Sequence, residues 1–489
     1  MTTKPTSKPL STQPAAPNAR WLALYVLCLG TLMIVLDTTI VNVALPSIRA
    51  DLGFSESALA WVVNAYMLTF GGFLLLGGRL GDLFGHRRLF LAGISLFTLA
   101  SLACGLATTQ EFLVAARALQ GLGGAVISAV SLSLIMNLFT TPSDRAKAMG
   151  LFGFVAAGGG SVGVLLGGFL TSALDWHWIF LVNIPIGAAV FVFSLMLLPP
   201  RPRDAATGSL DLAGALTVTA AMLVAVYAIV NGNAAGWLSL QTLGLLAFSI
   251  VLLVVFVHVE SRAPHPIIPL RLFALHNLVT ANAIGVLWAA AMFAWFFLSA
   301  LYLQLVLGYS PLYVGLSFLP ANLIMAAFSL GLSAQIVMRF GINRPIAVGM
   351  FLAGLGLLWF ARAPQSGNFW FDVFPAMTLL GLGAGIAFNP VLLSAMSDVK
   401  PDESGLASGL VNTSFMMGGA LGLAVLASLA AFTTAQLLAS GTEPLTALNE
   451  GYHAAFFVGA LFAGGASALA LFRLREPKLS SAEAHASHS

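Results

Sequence analysis

Long apolar runs follow one another along almost the whole chain, and short breaks carrying Gly, Pro, Asn or charged residues separate them. A helix needs about 20 apolar residues to cross a bilayer, and these runs have roughly that length. The pattern therefore predicts an all-α membrane protein with fourteen transmembrane helices. Their predicted positions are 21–46, 58–78, 88–107, 111–139, 146–170, 178–198, 212–230, 238–258, 278–307, 311–337, 345–362, 371–397, 404–431 and 452–472.

The first and last six predicted helices resemble two copies of one unit. The loop "LFGHRRLFLAG" at 83–93 aligns with "RFGINRPIAVG" at 339–349, and "LQGLGGA" at 119–125 aligns with "LLGLGAG" at 379–385. Internal six-helix repeats with a substrate site between them are typical of secondary transporters. The predicted organisation is a disordered cytoplasmic tail (1–20), an N-terminal six-helix bundle (21–198), a linker with two extra transmembrane helices (199–277), a C-terminal six-helix bundle (278–472) and a second cytoplasmic tail (473–489).

The two extra helices contain almost no polar side chains, so we expect them to face lipid.

Hydrophobic residues make up 59% of the whole chain and charged residues 8%, whereas a soluble domain is about half apolar and a quarter charged. Composition therefore argues against a soluble enzyme.

Charge fixes the predicted direction of the helices. With both termini in the cytoplasm, eighteen of the 21 Lys and Arg residues fall in cytoplasmic segments, which follows the positive-inside rule. We expect a multi-pass protein of the plasma (bacterial inner) membrane. The basic charge then reflects topology and does not indicate a nucleic-acid partner.

The sequence does not support cofactor or metal chemistry. Cys28 and Cys104 each lie inside an apolar run, and no Cys/His cluster accompanies them, so neither a disulfide framework nor a metal site is predicted. The apolar runs carry no nucleophile–base pair, and no loop could hold a catalytic domain. We predict a protein that is not an enzyme, binds no cofactor and draws its energy from a proton gradient.

Asp37 lies in the middle of the first predicted helix, in "LMIVLDTTIVNVAL". Ionisable groups in hydrocarbon are costly and normally face a cavity or a partner. Arg117 is the one cation well inside a predicted helix, and at about 1.5 Å per residue it lies at a depth similar to Asp37. Burial favours a protonated carboxyl group and a nearby cation favours the charged form. We predict that Asp37 binds and releases a proton while Arg117 tunes it; a static ion pair is the alternative.

Five motifs occur in order along the chain: "LDTTIVNVALP" (36–46), "GGRLGDLFGHRR" (77–88), "ARALQGLGGA" (116–125), "WHWIFLVNIPIG" (176–187) and "LYLQLVLGYSP" (301–311). As an ordered set they resemble the major facilitator superfamily and, within it, the fourteen-span drug:proton antiporters. The resemblance covers almost the whole chain. It implies a proton-coupling role for Asp37 and Arg117, and multidrug efflux as the activity.

Polar and aromatic residues in the predicted helices are candidates for a substrate cavity. Aromatic and apolar walls with a few polar groups suit flat hydrophobic ligands. Interhelical hydrogen bonds, or packing against lipid and core, are the alternatives for each of them. The candidates are Thr38, Asn42, Asn64, Tyr66, Gln120, Asn282, Trp288, Trp295, Tyr302 and Gln304.

Two further sets are candidates for gating. In the second motif, glycines permit a tight turn, and an acid among basic residues suggests a charge cluster on the cytoplasmic face; by resemblance this network holds the outward-open state. A glycine-rich stretch in the fifth helix resembles the antiporter motif of that helix, with Val164 where the family usually has Pro, so an expected kink is missing. The gating candidates are Gly78, Gly81, Asp82, Gly85, Arg87, Arg88, Arg145, Gly159, Gly163, Gly167 and Gly168.

Together these features predict proton-coupled antiport of hydrophobic drugs or toxic compounds by alternating access, conferring antibiotic resistance. The alternatives are a dedicated exporter of one metabolite or antibiotic and, less favoured, a proton symporter. The predicted partners are a small hydrophobic substrate, protons and the lipid bilayer. A periplasmic adaptor is left open.

Overall fold

A computed structural model describes residues 17–139, 141–198, 211–264, 266–328, 332–400 and 403–475, and all regular structure in these ranges is helical. The predicted tails before residue 17 and after residue 475, and the linker residues 199–210, lie outside the described residues. The all-α prediction is confirmed for the part of the chain that the structure describes.

The described helices fall into three consecutive groups. The first is α1 (Pro17–Leu52), α2 (Glu56–Leu59), α3 (Trp61–Phe84), α4 (His86–Gly105), α5 (Gln110–Leu138), α6 (Pro142–Ala173), α7 (Trp178–Leu181) and α8 (Asn183–Leu197). The second is α9 (Leu212–Ala235) and α10 (Leu240–Arg262). The third is α11 (His276–Leu301), α12 (Pro311–Ser317), α13 (Leu319–Ala327), α14 (Ser333–Phe340), α15 (Asn343–Phe360), α16 (Phe374–Met396), α17 (Ser404–Ala439) and α18 (Pro444–Phe472).

Among the described residues, twelve helices are long and apolar enough to cross a membrane. They coincide with twelve of the fourteen predicted segments. The other two predictions, 146–170 and 311–337, fall on α6 and on the interrupted series α12 to α14. In these two regions the apolar stretches that the structure describes, Val162–Ala173 and Pro311–Ala327, are shorter.

The first and third groups use the same packing scheme. Helix α1 packs against α5, α6 and α8, and in the third group α11 packs against α16, α17 and α18. Helix α4 packs against α5 and α8, as α15 packs against α16 and α18. Contacts between the two groups pair α6 with α12 and α13, and α3 with α17.

Both aligned loops contain a glycine with a positive φ at the end of a helix. Gly85 ends α3 with φ +92°, and Gly341 ends α14 with φ +77°. Backbone in this left-handed region strongly favours glycine. In both loops, therefore, a Phe-Gly pair ends one helix with a positive-φ glycine shortly before the next helix, α4 or α15, begins.

Helices α9 and α10 pack against each other at the side of the first and third groups. Helix α9 also contacts α3 and α17, and half of its apolar stretch is buried, whereas only 17% of that of α10 is buried. The expectation of a lipid-facing pair therefore fits α10, while one face of α9 is covered by protein.

Close helix approach at glycine generates a stability prediction. A Cβ atom at Gly383 would lie 2.6 Å from the carbonyl oxygen of Gly349 and 2.7 Å from the backbone nitrogen of Ala353. Backbone atoms cannot move aside, so Gly383→Ala should separate α15 from α16 and cost about 1–3 kcal/mol. Thermal unfolding in detergent measures the loss.

Gly464→Ala on α18 is the matched control, because no atom lies within 4 Å of a Cβ there. Equal unfolding temperatures for the two variants would contradict this account of the packing.

Candidate functional site

Asp37 lies in the middle of α1 with no exposed surface, and three side chains bind its carboxylate. Its Oδ2 accepts a hydrogen bond from Nη1 of Arg117 at 2.6 Å. Its Oδ1 accepts from Nε2 of Gln120 at 2.6 Å and from Nδ2 of Asn183 at 3.1 Å. Side chains that are 80 to 146 residues away from Asp37 in the sequence thus meet at its carboxyl group.

Arg117 is 1% exposed and has contacts on every side of its guanidinium group. Besides Asp37, Nη1 donates to Oε1 of Gln120 at 2.6 Å, and Nε donates to the carbonyl of Val62 at 2.9 Å. The guanidinium carbon lies 4.5 Å from the ring centre of Tyr66 and 5.5 Å from that of Phe180. Hydrogen bonds and aromatic faces together replace the water that a buried cation has lost.

Two small side chains on α4 complete the cluster. Ser101 Oγ accepts hydrogen bonds from Nε2 of Gln120 at 2.8 Å and from Nδ2 of Asn183 at 3.4 Å. The thiol of Cys104 donates to Oε1 of Gln120 at 3.7 Å. The buried network therefore joins α1, α3, α4, α5 and α8, and it lies entirely within the first group of helices.

The opposite charges of Asp37 and Arg117 determine what this cluster can do chemically. Asp37 is the negative group that compensates Arg117, and removing one partner of a buried ion pair typically costs about 3–5 kcal/mol. Protonation of Asp37 therefore cannot leave the rest of the network unchanged. A proton on this carboxyl and the position of Arg117 are coupled by electrostatics.

Sequence reasoning did not identify two members of this cluster, Ser101 and Asn183. Both are polar residues inside long apolar stretches, and both are fully buried. Asn183 stands in "WIFLVNIPIG", so an amide in an otherwise apolar run was the available signal. The sequence could not show that α8 turns this amide toward α1.

The remaining cavity candidates of the first group bond locally or have no partner. Thr38 Oγ1 donates to the carbonyl of Val35, and Asn42 Nδ2 donates to that of Thr38, all within α1. Asn64 and Tyr66 are fully buried, and among the described residues the amide of Asn64 and the hydroxyl of Tyr66 have no hydrogen-bond partner. Buried polar atoms without partners are uncommon and often indicate a functional position.

The candidates from the third group are mainly interior residues. Trp288, Trp295 and Tyr302 are at most 2% exposed, and the Tyr302 hydroxyl donates to the carbonyl of Pro364 at 2.9 Å. Packing holds these aromatic groups in this structure; a role in a substrate cavity stays a prediction.

The polar candidates Asn282, on α11, and Gln304, just after α11, form hydrogen bonds to different helices. Asn282 Nδ2 donates to the carbonyl of Leu278, one turn back on its own helix. Gln304 Nε2 donates to the carbonyl of Val43 on α1 at 2.8 Å, so this amide links the first and third groups.

The charged gating candidates contact backbone carbonyls at helix ends. Arg87 Nη2 donates to the carbonyl of Leu195 near the end of α8, and Arg145 Nε donates to that of Phe139 at the end of α5. Arg88 is exposed, and the side chain of Asp82 lies outside the described residues. The described contacts of Arg87 and Arg145 therefore join helix ends.

The glycine candidates of α6 form a contact stripe. A Cβ at Gly159, Gly163 or Gly167 would collide with α1, and one at Gly168 would collide with Pro311 and Leu312 of α12. Helix α6 thus approaches both groups closely through glycine. Near the aligned loop, a Cβ at Gly81 would contact His86 and Val130, whereas Gly78 and Gly85 have open space around them.

The sequence pattern of the Major Facilitator Superfamily matches residues 27–423. The chain belongs to this superfamily. It is 39% identical to the puromycin resistance protein pur8 of Streptomyces alboniger, covering 90% of this chain and 89% of the relative. It is 38% identical to the cephamycin export protein CmcT of Amycolatopsis lactamdurans, covering 89% of each.

Solved structures show the same fold. The POT family transporter PepTSo matches with a TM-score of 0.65 over 97% of this chain and 100% of its own, at 16% identity. At that identity the likeness concerns the fold alone. The superfamily establishes a multi-pass membrane transporter and not an enzyme, and these relatives are named for antibiotic resistance and export.

The buried ion pair predicts a specific pattern of stability. Arg117→Ala leaves the Asp37 carboxylate buried without a cation and should lower unfolding stability by about 3–5 kcal/mol. The double variant Asp37→Asn with Arg117→Met should be more stable than Arg117→Ala, because it contains no uncompensated charge.

Thermal unfolding in detergent checks both variants against Arg88→Ala, an exposed arginine of the same chain. If Arg117→Ala and Arg88→Ala unfold at the same temperature, the ion pair does not stabilise the fold as described.

Proposed function

We propose that this transporter exports hydrophobic drugs or antibiotics in exchange for protons, by alternating access. The observation that carries the proposal is the buried Asp37 carboxylate bound to Arg117 inside a chain of the major facilitator superfamily. Intramembrane ionisable groups typically belong to ion or proton pathways. The relatives named for puromycin resistance and cephamycin export support the direction of transport.

In the proposed mechanism Asp37 is the group that exchanges the proton. When a proton binds Asp37, Arg117 loses its counter-charge but keeps the carbonyl of Val62, Oε1 of Gln120 and the ring of Tyr66. The guanidinium group then turns toward these remaining contacts. Because Asp37 is on α1 and Arg117 on α5, the shift changes how these two helices pack.

Gln120 and Asn183 position the carboxyl group in this mechanism. Their amide groups hold Oδ1 while Arg117 holds Oδ2, so the two oxygens of Asp37 have different surroundings. The amide oxygen of Asn183 has no partner among the described residues. A rotated Asn183 amide offers that oxygen as an acceptor for the proton of a neutral Asp37.

We further propose fourteen transmembrane helices in two six-helix halves, with α9 and α10 inserted between them and both termini in the cytoplasm. The matching packing schemes and the paired glycines Gly85 and Gly341 support the two halves. The charge distribution supports the orientation. Gly168 of α6, which packs against α12, and the contact between Gln304 and Val43 lie where the halves meet, and we assign them to the rocking interface. The glycines Gly159, Gly163 and Gly167 pack α6 against α1 within the first half.

A test of proton coupling uses everted membrane vesicles with a proton gradient that makes the vesicle interior acidic. Asp37→Asn should reduce gradient-driven uptake of puromycin or ethidium to the level of vesicles without the transporter, because the amide cannot exchange a proton. Glu111→Gln, an exposed acid at the start of α5, is the control and should retain full uptake.

Downhill efflux of preloaded probe separates loss of coupling from loss of folding. Efflux should persist in Asp37→Asn vesicles when unlabelled probe is present outside, since exchange of labelled for unlabelled probe needs no proton on the return step. Full gradient-driven uptake by Asp37→Asn would refute Asp37 as the coupling site.

A second candidate function is export of one compound, favoured by relatives whose names each mention a single antibiotic. Overexpression in a drug-sensitive strain distinguishes the two. We expect raised inhibitory concentrations for several unrelated hydrophobic dyes and antibiotics. Resistance restricted to one compound would instead establish the dedicated exporter.

A further inference from the structure

The inserted helices α9 and α10 contain a pair of buried carboxyl groups at one end. Asp211 directly precedes α9, and Glu260 lies in the last turn of α10. They are only 9% and 3% exposed. Neither residue belongs to the Asp37 network, and the expectation of an almost wholly apolar pair did not anticipate them.

One oxygen of each carboxyl group is anchored to backbone. Asp211 Oδ1 accepts the N–H of Gly214 at 2.7 Å, and Glu260 Oε2 accepts the N–H of Ile268 at 3.2 Å. These bonds fix both side chains in place. The pair thus connects the start of α9, the end of α10 and the segment that leads toward α11.

The other two oxygens lie within about 5.4 Å of each other beside a glycine. A Cβ atom at Gly214 would lie 2.7 Å from Asp211 Oδ2 and 2.7 Å from Glu260 Oε1. With both groups ionised, neither oxygen has a donor among the described residues. A proton on either group would supply the donor that both oxygens lack.

Two ionised carboxylates at this separation and burial repel each other strongly, and one bound proton removes both the repulsion and the missing donor. We infer that Asp211 and Glu260 form a second proton-binding site, in which one proton is shared between Oδ2 and Oε1.

A metal ion fits this geometry poorly. Hard cations such as calcium take six to eight oxygen ligands, whereas this site offers two free carboxyl oxygens. Among the described residues, no group of three His, Cys, Asp or Glu side chains could hold a metal. The ligand that matches two facing oxygens is therefore a proton.

Among the residues that the structure describes, no salt bridge joins a basic side chain to either carboxyl group. On α10, His258 and Arg262 are exposed. At the same end of the helices packed on α9, Glu403 is already paired with Arg271. Asp211 is the group whose charge acts on Glu260 in this part of the structure.

The shared proton gives the site a defined effect on stability. The folded protein retains a proton that the unfolded carboxyl groups have released at neutral pH. Raising the pH therefore favours unfolding by linkage. Loss of the proton places two negative charges at the joint between the inserted helices and α11, which loosens that joint.

Unfolding temperatures in detergent, from mildly acidic to mildly alkaline pH, test this. Relative to wild type, Asp211→Asn and Glu260→Gln should gain about 2–4 °C as the pH rises, because an amide donates to the remaining carboxylate. Glu111→Gln, an exposed acid, should follow wild type. Parallel pH profiles for wild type and both pair variants would overturn the proposal.

Infrared difference spectroscopy tests the sharing itself. Wild type should show the C=O stretch of a protonated carboxyl group that disappears as the pH rises, and comparison with the pair variants assigns that band, because Asp37 also binds a proton in the proposed function. Either pair variant should lack that band. A band that survives in Asp211→Asn would mean that Glu260 holds its proton alone, and absence of a titrating band in wild type would exclude a bound proton.

Discussion

The central physical constraint is the burial of a full positive charge inside the first group of helices. Arg117 has almost no exposed surface, and the fold compensates it with the Asp37 carboxylate, two oxygen acceptors and two aromatic faces. A buried ion pair is tolerated only when its remaining donors and acceptors are also satisfied. Five helices must keep their relative positions for that to hold, so the electrostatics of one site and the packing of the group depend on each other.

Glycine gives the second constraint, because helices in lipid associate by close packing rather than by the hydrophobic effect. Gly159, Gly163 and Gly167 join α6 to α1, and the next glycine, Gly168, brings α6 against α12, so one helix contacts both groups. Few of these contacts use hydrogen bonds; the link from Gln304 to Val43 is one that does. At Gly168 and Gly315 the backbones of α6 and α12 meet without interlocking side chains, which suits the proposed alternating access.

Much of the organisation was predictable because a bilayer restricts what an apolar run can be. Run length located the helices, and the similar depths of Asp37 and Arg117 followed from rise per residue alone. The alignment of two short loops paired Gly85 with Gly341, and the structure gives both glycines a positive φ. Prediction was weaker for aromatic residues: Trp288, Trp295 and Tyr302 are equally consistent with a cavity wall and a packed interior, and this structure buries them.

The sequence by itself determined the membrane class, the helix positions, the family resemblance and the presence of an acid and a base at one depth, because each depends on composition or on spacing along one helix. Only the tertiary structure decided which side chains meet. It rotated Asn183 and Ser101 toward Asp37, and it brought Glu260 against Asp211 from almost fifty residues away. Helix rotation and long-range contact depend on the packing of several helices at once, and no local pattern of hydrophobic and polar residues records them.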